Sequence, residues 1–170
     1  DKTKSEMFAV LRAVCNALPG LLGEHLAKVV PSVLVCLKDK SNSLKLDALS
    51  FLKLLMETHP PSEVQPFVAD VVPVVLGLVQ EEWYKIIAEA LRVVKVLIAV
   101  IRPVDKDSGM FGPSSVDYGA YVIPMHDAIM VRLQAHDIDQ EIKECAITAV
   151  GALVSTMGDR LEAQMPPILA

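Results

Sequence analysis

The strongest constraint on this chain is that it repeats itself. Val29-Val30-Pro31-Ser32-Val33-Leu34 returns further on as Val71-Val72-Pro73-Val74-Val75-Leu76. Tyr121-Val122-Ile123-Pro124 follows after a longer step, and Gln164-Met165-Pro166 then restores the interval that separates Pro31 from Pro73. A second series keeps step with the first: Asp47-Ala48-Leu49, Glu89-Ala90-Leu91 and Cys145-Ala146-Ile147. Pro31 stands as far before Ala48 as Pro73 does before Ala90. Such a chain must fold into copies of one unit, and the unit must tolerate a proline inside it.

The clearest half-unit lies at residues 136–159. Asp139 is placed to cap a helix, Glu141 falls in its first turn, and Ile142, Ala146, Ala149, Leu153 and Met157 recur at helical spacing. Gly158 comes next, where a left-handed residue would end the helix. The same reading places helices at 4–18 (apolar face Met7, Leu11, Val14, Leu18; stopped by Pro19-Gly20), at 24–37 and at 43–58. Further helices fall at 63–79, 83–101, 117–135, and from 161 onward. In the 43–58 helix Leu44, Ala48, Leu52 and Leu55 face inward while Lys45, Asp47, Ser50 and Lys53 face away. Pro31, Pro73 and Pro124 bend their helices without ending them. Residues 104–116, with two Gly, one Pro and three Ser, form a surface loop that absorbs the longer step.

A two-helix unit recurring every ~40–47 residues is the HEAT/armadillo pattern, and two helices with an Asp-bearing turn between them favour HEAT. The predicted fold is all-α, a HEAT-repeat α-solenoid in which antiparallel helix pairs stack into a right-handed superhelix. Complete repeats occupy 21–60, 61–103 and 117–160, with a second helix alone at 1–20 and a first helix alone at 161–170. A single hairpin cannot bury its apolar stripe, so neighbours stack.

Composition excludes much else. Hydrophobic residues are 52% but aromatics only 5%, a mixture suited to packed helices. Apolar runs are broken before the ~20 residues a membrane span needs, so no membrane partner is expected. The opening residues are not a signal peptide, and the absence of an initiating Met suggests a piece of a longer polypeptide. Cys15, Cys36 and Cys145 read as small buried residues in a reducing compartment, and the four histidines as surface or helix-end residues. Residues 1–58 carry eight Lys+Arg against six Asp+Glu, and residues 59–170 eight against fifteen. So mild a gradient lacks the concentrated basic face of a nucleic-acid binder but suits an electrostatically polarised protein partner. No nucleophile sits beside a base, no Gly-rich phosphate loop occurs, and His and Cys are not spaced as ligands, so no catalytic residue, metal or cofactor is assigned. The acidic run Asp137, Asp139, Glu141 lacks the Gly and terminal Glu of a calcium loop and reads as helix capping. Asp105 and Asp107 read as turn residues, and Trp83 as packing beneath the adjacent loop.

Four blocks together carry a resemblance: DKSNSLKLDAL (39–49), YKIIAEAL (84–91), VIRP (100–103) and DIDQEIKECAI (137–147). In their order and density they resemble the central arch of the cullin-associated, neddylation-dissociated family, in wording nearer to plant-type members. The loop at 104–116 is the least family-like stretch. The resemblance implies a non-enzymatic cytoplasmic and nuclear exchange factor. It would wrap an unmodified cullin bound to its RING subunit, compete with the adaptor that carries the substrate receptor, and so regulate ubiquitin-ligase assembly. A generic HEAT scaffold, such as a phosphatase regulatory or nuclear transport protein, would need the same helices but not these ordered blocks. Second helices line the inner curve of HEAT stacks, so the candidate binding ridge is Lys45, Lys53, Lys85, Glu89, Arg92, Lys95, Lys143 and Glu144. With apolar faces open at both ends, the chain alone is expected to self-associate.

Overall fold

The computed structural model describes residues 2–136 and 139–161. Its helices are α1 (Lys2–Ala17), α2 (Leu26–Leu37), α3 (Asn42–Thr58), the single turn α4 (Pro61–Val64), α5 (Val68–Val79), α6 (Tyr84–Ile101), α7 (Gly119–Leu133) and α8 (Gln140–Met157). The step from Pro31 to Pro73 recurs in the backbone itself. A 3-10 turn at Gly23–His25 leads into α2, and a 3-10 turn at Gln65–Phe67 leads into α5; the starts of α3 and α6 are separated by the same step. Pro31, Pro73 and Pro124 each occupy the sixth position of their helix. Two of these helices are entered through a tighter 3-10 turn, which shortens the α-helical ladder upstream of the proline that would otherwise interrupt it.

The helices form two layers. First helices α2, α5 and α7 make one; α1, α3, α6 and α8 make the other. Each hairpin packs internally (α2 on α3, α5 on α6, α7 on α8), and the second layer is continuous, α1 on α3 on α6 on α8. Ala48, Ala90 and Ala146, the residues in register on the second helices, are all fully buried. A methyl group there lets neighbouring helices approach closely while Leu44, Leu52, Leu91, Val94 and Leu153 fill the space around them. This is the all-α HEAT-repeat solenoid.

Several local readings need correction. In α1 it is Phe8 and Cys15 that are buried, with the Phe8 ring 5.5 Å from that of Phe51, whereas Met7 and Leu18 are about half exposed. Between its charged ends the helix carries Met7, Phe8, Val10, Leu11 and Val14 on several sides, so periodicity alone does not choose its face; packing on α3 does. The segment 63–79 is not one helix, because Pro66 breaks it into α4, a 3-10 turn and α5. By length and apolarity alone Pro61–Val79 would suffice to cross a membrane, contrary to the reading of its runs as too short. Val68, Val71, Val72, Val75 and Val79 are instead buried in the core. Gly158 has φ −60° and carries α8 on into a 3-10 turn instead of a left-handed stop. Cys145 is only half-buried. Trp83 is half-buried against the core, edge-on to Tyr84. The half-repeat expected at 161–170 lies outside the described residues apart from Leu161, as do Asp137 and Ile138.

Two buried polar residues close the repeats they belong to, His59 within 21–60 and Gln65 within 61–103, where it also holds the loop that follows. His59, 4% exposed, accepts a hydrogen bond from the Leu22 N–H at Nε2 (3.2 Å) and lies 2.8 Å from the Leu55 carbonyl through Nδ1. With Nε2 accepting, Nδ1 must be the protonated nitrogen. Gln65 donates to the Val100 carbonyl (3.0 Å) and accepts from Ser115 N and Oγ (both 3.1 Å). Arg132 of α7 donates to the carbonyls of Val79 and Glu81 (2.6 and 2.8 Å), satisfying the open end of α5.

Leu52 of α3 is 1% exposed within the core. Leu52→Ala is expected to cost about 2–5 kcal/mol in denaturant unfolding; a loss under about 1 kcal/mol would place the inward face elsewhere. On α1 and at its C-terminal end, Met7, Val10 and Leu18 stand where α3 and the residue after it have the fully or nearly buried Ala48, Phe51 and His59. Val10→Glu with Leu18→Glu is therefore expected to shift the chain toward monomer in sedimentation velocity at high concentration. An unchanged distribution would remove α1 as a self-association face.

Candidate protein-binding surface

The polar side of the second-helix layer is built by the same register that builds the core. On α3, Lys45 and Lys53 lie about two turns apart and reach with Ser50 toward α6, whereas Asp47 turns toward α1. None of the four points freely into solvent, because all are half-buried between α3 and its neighbours. Arg12 of α1 lies 3.5 Å from Asp47 of α3. Lys53 and Ser50 of α3 reach Glu89 of α6, both at 3.2 Å. Arg92 of α6 donates to Glu89 at 3.1 Å and to Glu141 of α8 at 2.6 Å. Lys45 reaches Glu81, in the turn before α6, at 2.7 Å.

These pairs share a direction. Among the described residues, every ion pair that joins successive units has its base on the earlier unit and its acid on the later: Lys4–Asp39, Arg12–Asp47, Lys45–Glu81, Lys53–Glu89, Arg92–Glu141 and Arg102–Asp159. The first two rungs recur one unit on as the next two, Lys4–Asp39 as Lys45–Glu81 and Arg12–Asp47 as Lys53–Glu89. Partly exposed pairs of this kind add little stability one by one. Their consequence is orientation: a unit offered backwards would meet like charge.

Glu89 is the hub of this ladder. It is 7% exposed, takes Ser50 Oγ and Lys53 Nζ on one oxygen and Arg92 on the other, and so links three second helices through Arg92 to Glu141. The hydrogen bond to Glu141, ahead of that to Glu89, holds the Arg92 guanidinium above its ordinary pKa despite partial burial. Of the eight ridge residues predicted from sequence, Lys45, Lys53, Glu89 and Arg92 thus belong to the internal ladder. Lys85, Lys95, Lys143 and Glu144 are exposed. Lys85 lies over the rings of Trp83 and Tyr84 at 5.7 and 5.9 Å, and Glu144 accepts from Gln140 (2.8 Å). Lys85, Lys95 and Lys143 form no ion pair among the described residues. Asp139, whose carboxylate caps α8 by accepting from the Glu141 N–H at 2.8 Å, acts as the capping residue the sequence predicted.

The arrangement is suited to holding a surface. Burial, the largest influence, pushes the Cys145 thiol up and so favours the protonated thiol over the thiolate. Among the described residues no group of three or more His, Cys, Asp or Glu side chains is placed to hold a metal. Sequence reasoning missed His59 and Gln65 and the pairing across units. The last was findable, because acids and bases recurring at one step imply neighbours one unit apart.

The chain matches a family profile described as "CAND1-like, TPR repeats" over residues 20–150. The step from Pro31 to Pro73 is longer than the ~34 residues of a tetratricopeptide unit and falls in the HEAT range. The chain is 42% identical to the Cullin-associated NEDD8-dissociated protein 1 of Arabidopsis thaliana, across 99% of its own length and 14% of the relative's. It is 36% identical to the protein of the same name in Drosophila melanogaster (96% and 13%). Against Cullin-associated NEDD8-dissociated protein 2 of Mus musculus the figure is 37% (99% and 13%). The chain therefore spans 13–14% of the length of these relatives.

Glu89→Gln keeps the volume but removes the charge that three donors share, and is expected to cost about 1–3 kcal/mol. Lys143→Met, at an exposed lysine, should stay within about 0.5 kcal/mol. Equal effects of the two in urea unfolding would contradict the hub.

Proposed function

We propose, from the premise that this chain belongs to the CAND1-like family, that it supplies part of the surface with which a longer HEAT-repeat protein holds a cullin. The favoured form of that cullin is the unmodified one, bound to its RING subunit. The longer protein competes there with the adaptor that carries the substrate receptor, and so promotes exchange of receptors in the cytoplasm and nucleus. The work is coupling by differential binding: two partners favour different states of one complex, and no bond is made or broken.

The observation that supports this reading is the division of labour on the second-helix face. Lys45, Lys53, Glu89 and Arg92 hold successive units in fixed register. Lys85, Lys95 and Lys143 project from α6 and α8 without acidic partners among the described residues. A pre-organised support with unpaired cations suits steering and registering an acidic protein surface, since rim charges act on association rate and specificity more than on raw affinity. A long solenoid adds many such weak patches, so that a partner is held firmly but released stepwise.

The test is charge reversal at the three unpaired lysines in the full-length protein, Lys85→Glu, Lys95→Glu and Lys143→Glu together. Association with unmodified cullin–RING complex should slow by about tenfold at low salt, with a shallower salt dependence and unchanged melting. Unmodified cullin should be preferred to the NEDD8-modified form. An unchanged on-rate would remove these lysines from the interface; indifference to cullin modification would overturn the exchange-factor reading.

A further inference from the structure

The ladder on the second-helix face is regular enough to show where it stops. Each of three second helices has a fully buried alanine in register: Ala48 on α3, Ala90 on α6 and Ala146 on α8. The residue just before that alanine is Asp47 on α3 and Glu89 on α6. Each takes a base from the preceding second helix, Asp47 from Arg12 at 3.5 Å and Glu89 from Lys53 at 3.2 Å. Lys53 stands five residues after Ala48, and Lys95 stands five residues after Ala90. The register therefore requires Lys95 to meet an acid in the residue before Ala146. That residue is Cys145.

The place where the third acid would sit is open. A cavity of about 310 Å³ lies between α6 and α8, lined by Leu91, Arg92, Lys95, Glu144, Cys145 and Thr148. Cys145 is half-buried, and burial favours its neutral thiol, so it brings no negative charge to that position. The lining holds two cations and one carboxylate. That carboxylate, Glu144, is taken up along its own helix, accepting from Gln140 at 2.8 Å. Lys95 is exposed and forms no ion pair among the described residues. Arg92 donates through Nη1 to Glu89 and through Nη2 to Glu141, which leaves further N–H donors on its guanidinium. The Arg92–Glu141 pair ties α6 to α8 about one turn nearer the start of both helices, so the stack is held without a third rung of the earlier kind.

We propose that a carboxylate side chain of the protein partner seats in this cavity and completes the rung, against Lys95 with Arg92 behind it. The inference rests on the cullin-binding reading and locates one of its contacts. Its warrant is internal to the molecule: the same register position holds a carboxylate twice before, each time facing the base that Lys95 repeats. Cys145 is then a specificity-determining residue. An acid there would quench Lys95 from within, whereas an uncharged side chain leaves the amine for an acid from outside. Because Arg92 is already fixed by Glu89 and Glu141, little ordering is lost when the partner's carboxylate arrives. A partner with a neutral or basic residue at that point gains nothing from Lys95, which makes the contact selective.

The test puts the acid back. In the full-length protein without partner, Cys145→Asp should slow amine-reactive labelling of Lys95, relative to Lys28, at least about twofold, because an ion-paired amine holds its proton more tightly. With unmodified cullin–RING complex at low salt, the same variant should associate at least about threefold more slowly. Ser155→Asp adds the same charge to an exposed position of α8 outside the cavity lining and should leave the association rate unchanged. Thr148→Glu brings a carboxylate to the same cavity from an exposed position, and it replaces Cys145→Asp should that variant lower the melting temperature. Unchanged labelling of Lys95, association as fast as in the unsubstituted protein, or equal slowing by Ser155→Asp would overturn this inference and leave cullin binding standing. Failure of the unsubstituted protein to bind the complex would overturn the cullin-binding reading, and this contact with it.

Discussion

A helix hairpin has more apolar surface than its two members can hide from water. Each second helix here needs cover from its own first helix and also from the second helices before and after it. That requirement leaves Ala48, Ala90 and Ala146, in register on the second helices, completely buried, with larger aliphatic residues in the same core. Every other feature follows from it. The hairpins must stack in one direction at a near-constant step, and the loops must keep their lengths or fold into something of their own. Polar residues at the margins must find partners on the next unit. The base-early, acid-late order of the ion pairs fits the same constraint. Apolar stripes do not distinguish a correctly oriented neighbour from a reversed one, and charge does.

Much of this was legible in the sequence because the helical period and the repeat step are both backbone properties. In α8 the inward face was read residue by residue. Ile142, Ala146, Ala149, Leu153 and Met157 keep one stripe from the capped first turn to the last, and Ile147 and Val154, which fall off it, are about half exposed. In α1 the same method failed, because Met7, Phe8, Val10, Leu11 and Val14 offer several plausible stripes. What decides there is which side meets α3, a tertiary fact. Gly158 failed differently: a glycine can take the left-handed turn but is not obliged to, and here the chain simply continues into a tighter turn.

The candidate surface was half legible. Its residues were placed on the correct helices, but their roles divide along a line the one-helix view does not show. Lys45, Lys53, Glu89 and Arg92 look outward on a helical projection and are in fact covered by the adjoining helix. His59 and Gln65 escaped because polar residues beside Pro60, Pro61 and Pro66 read as turn material. Only the folded hairpins show that they are buried ties, each within its own repeat, with Gln65 also reaching the loop at 104–116.

The resulting picture is a directional stack of hairpins, on which the proposed partner contacts fall to a few unpaired side chains. Lysine footprinting of the full-length protein, with and without unmodified cullin–RING complex, tests this most directly by amine-reactive labelling read by mass spectrometry. Lys85, Lys95 and Lys143, on the second-helix layer, should lose most of their labelling on complex formation, while exposed Lys28, on the first-helix layer, should label as before. Shielding of Lys28 with Lys85, Lys95 and Lys143 left fully reactive would contradict the account.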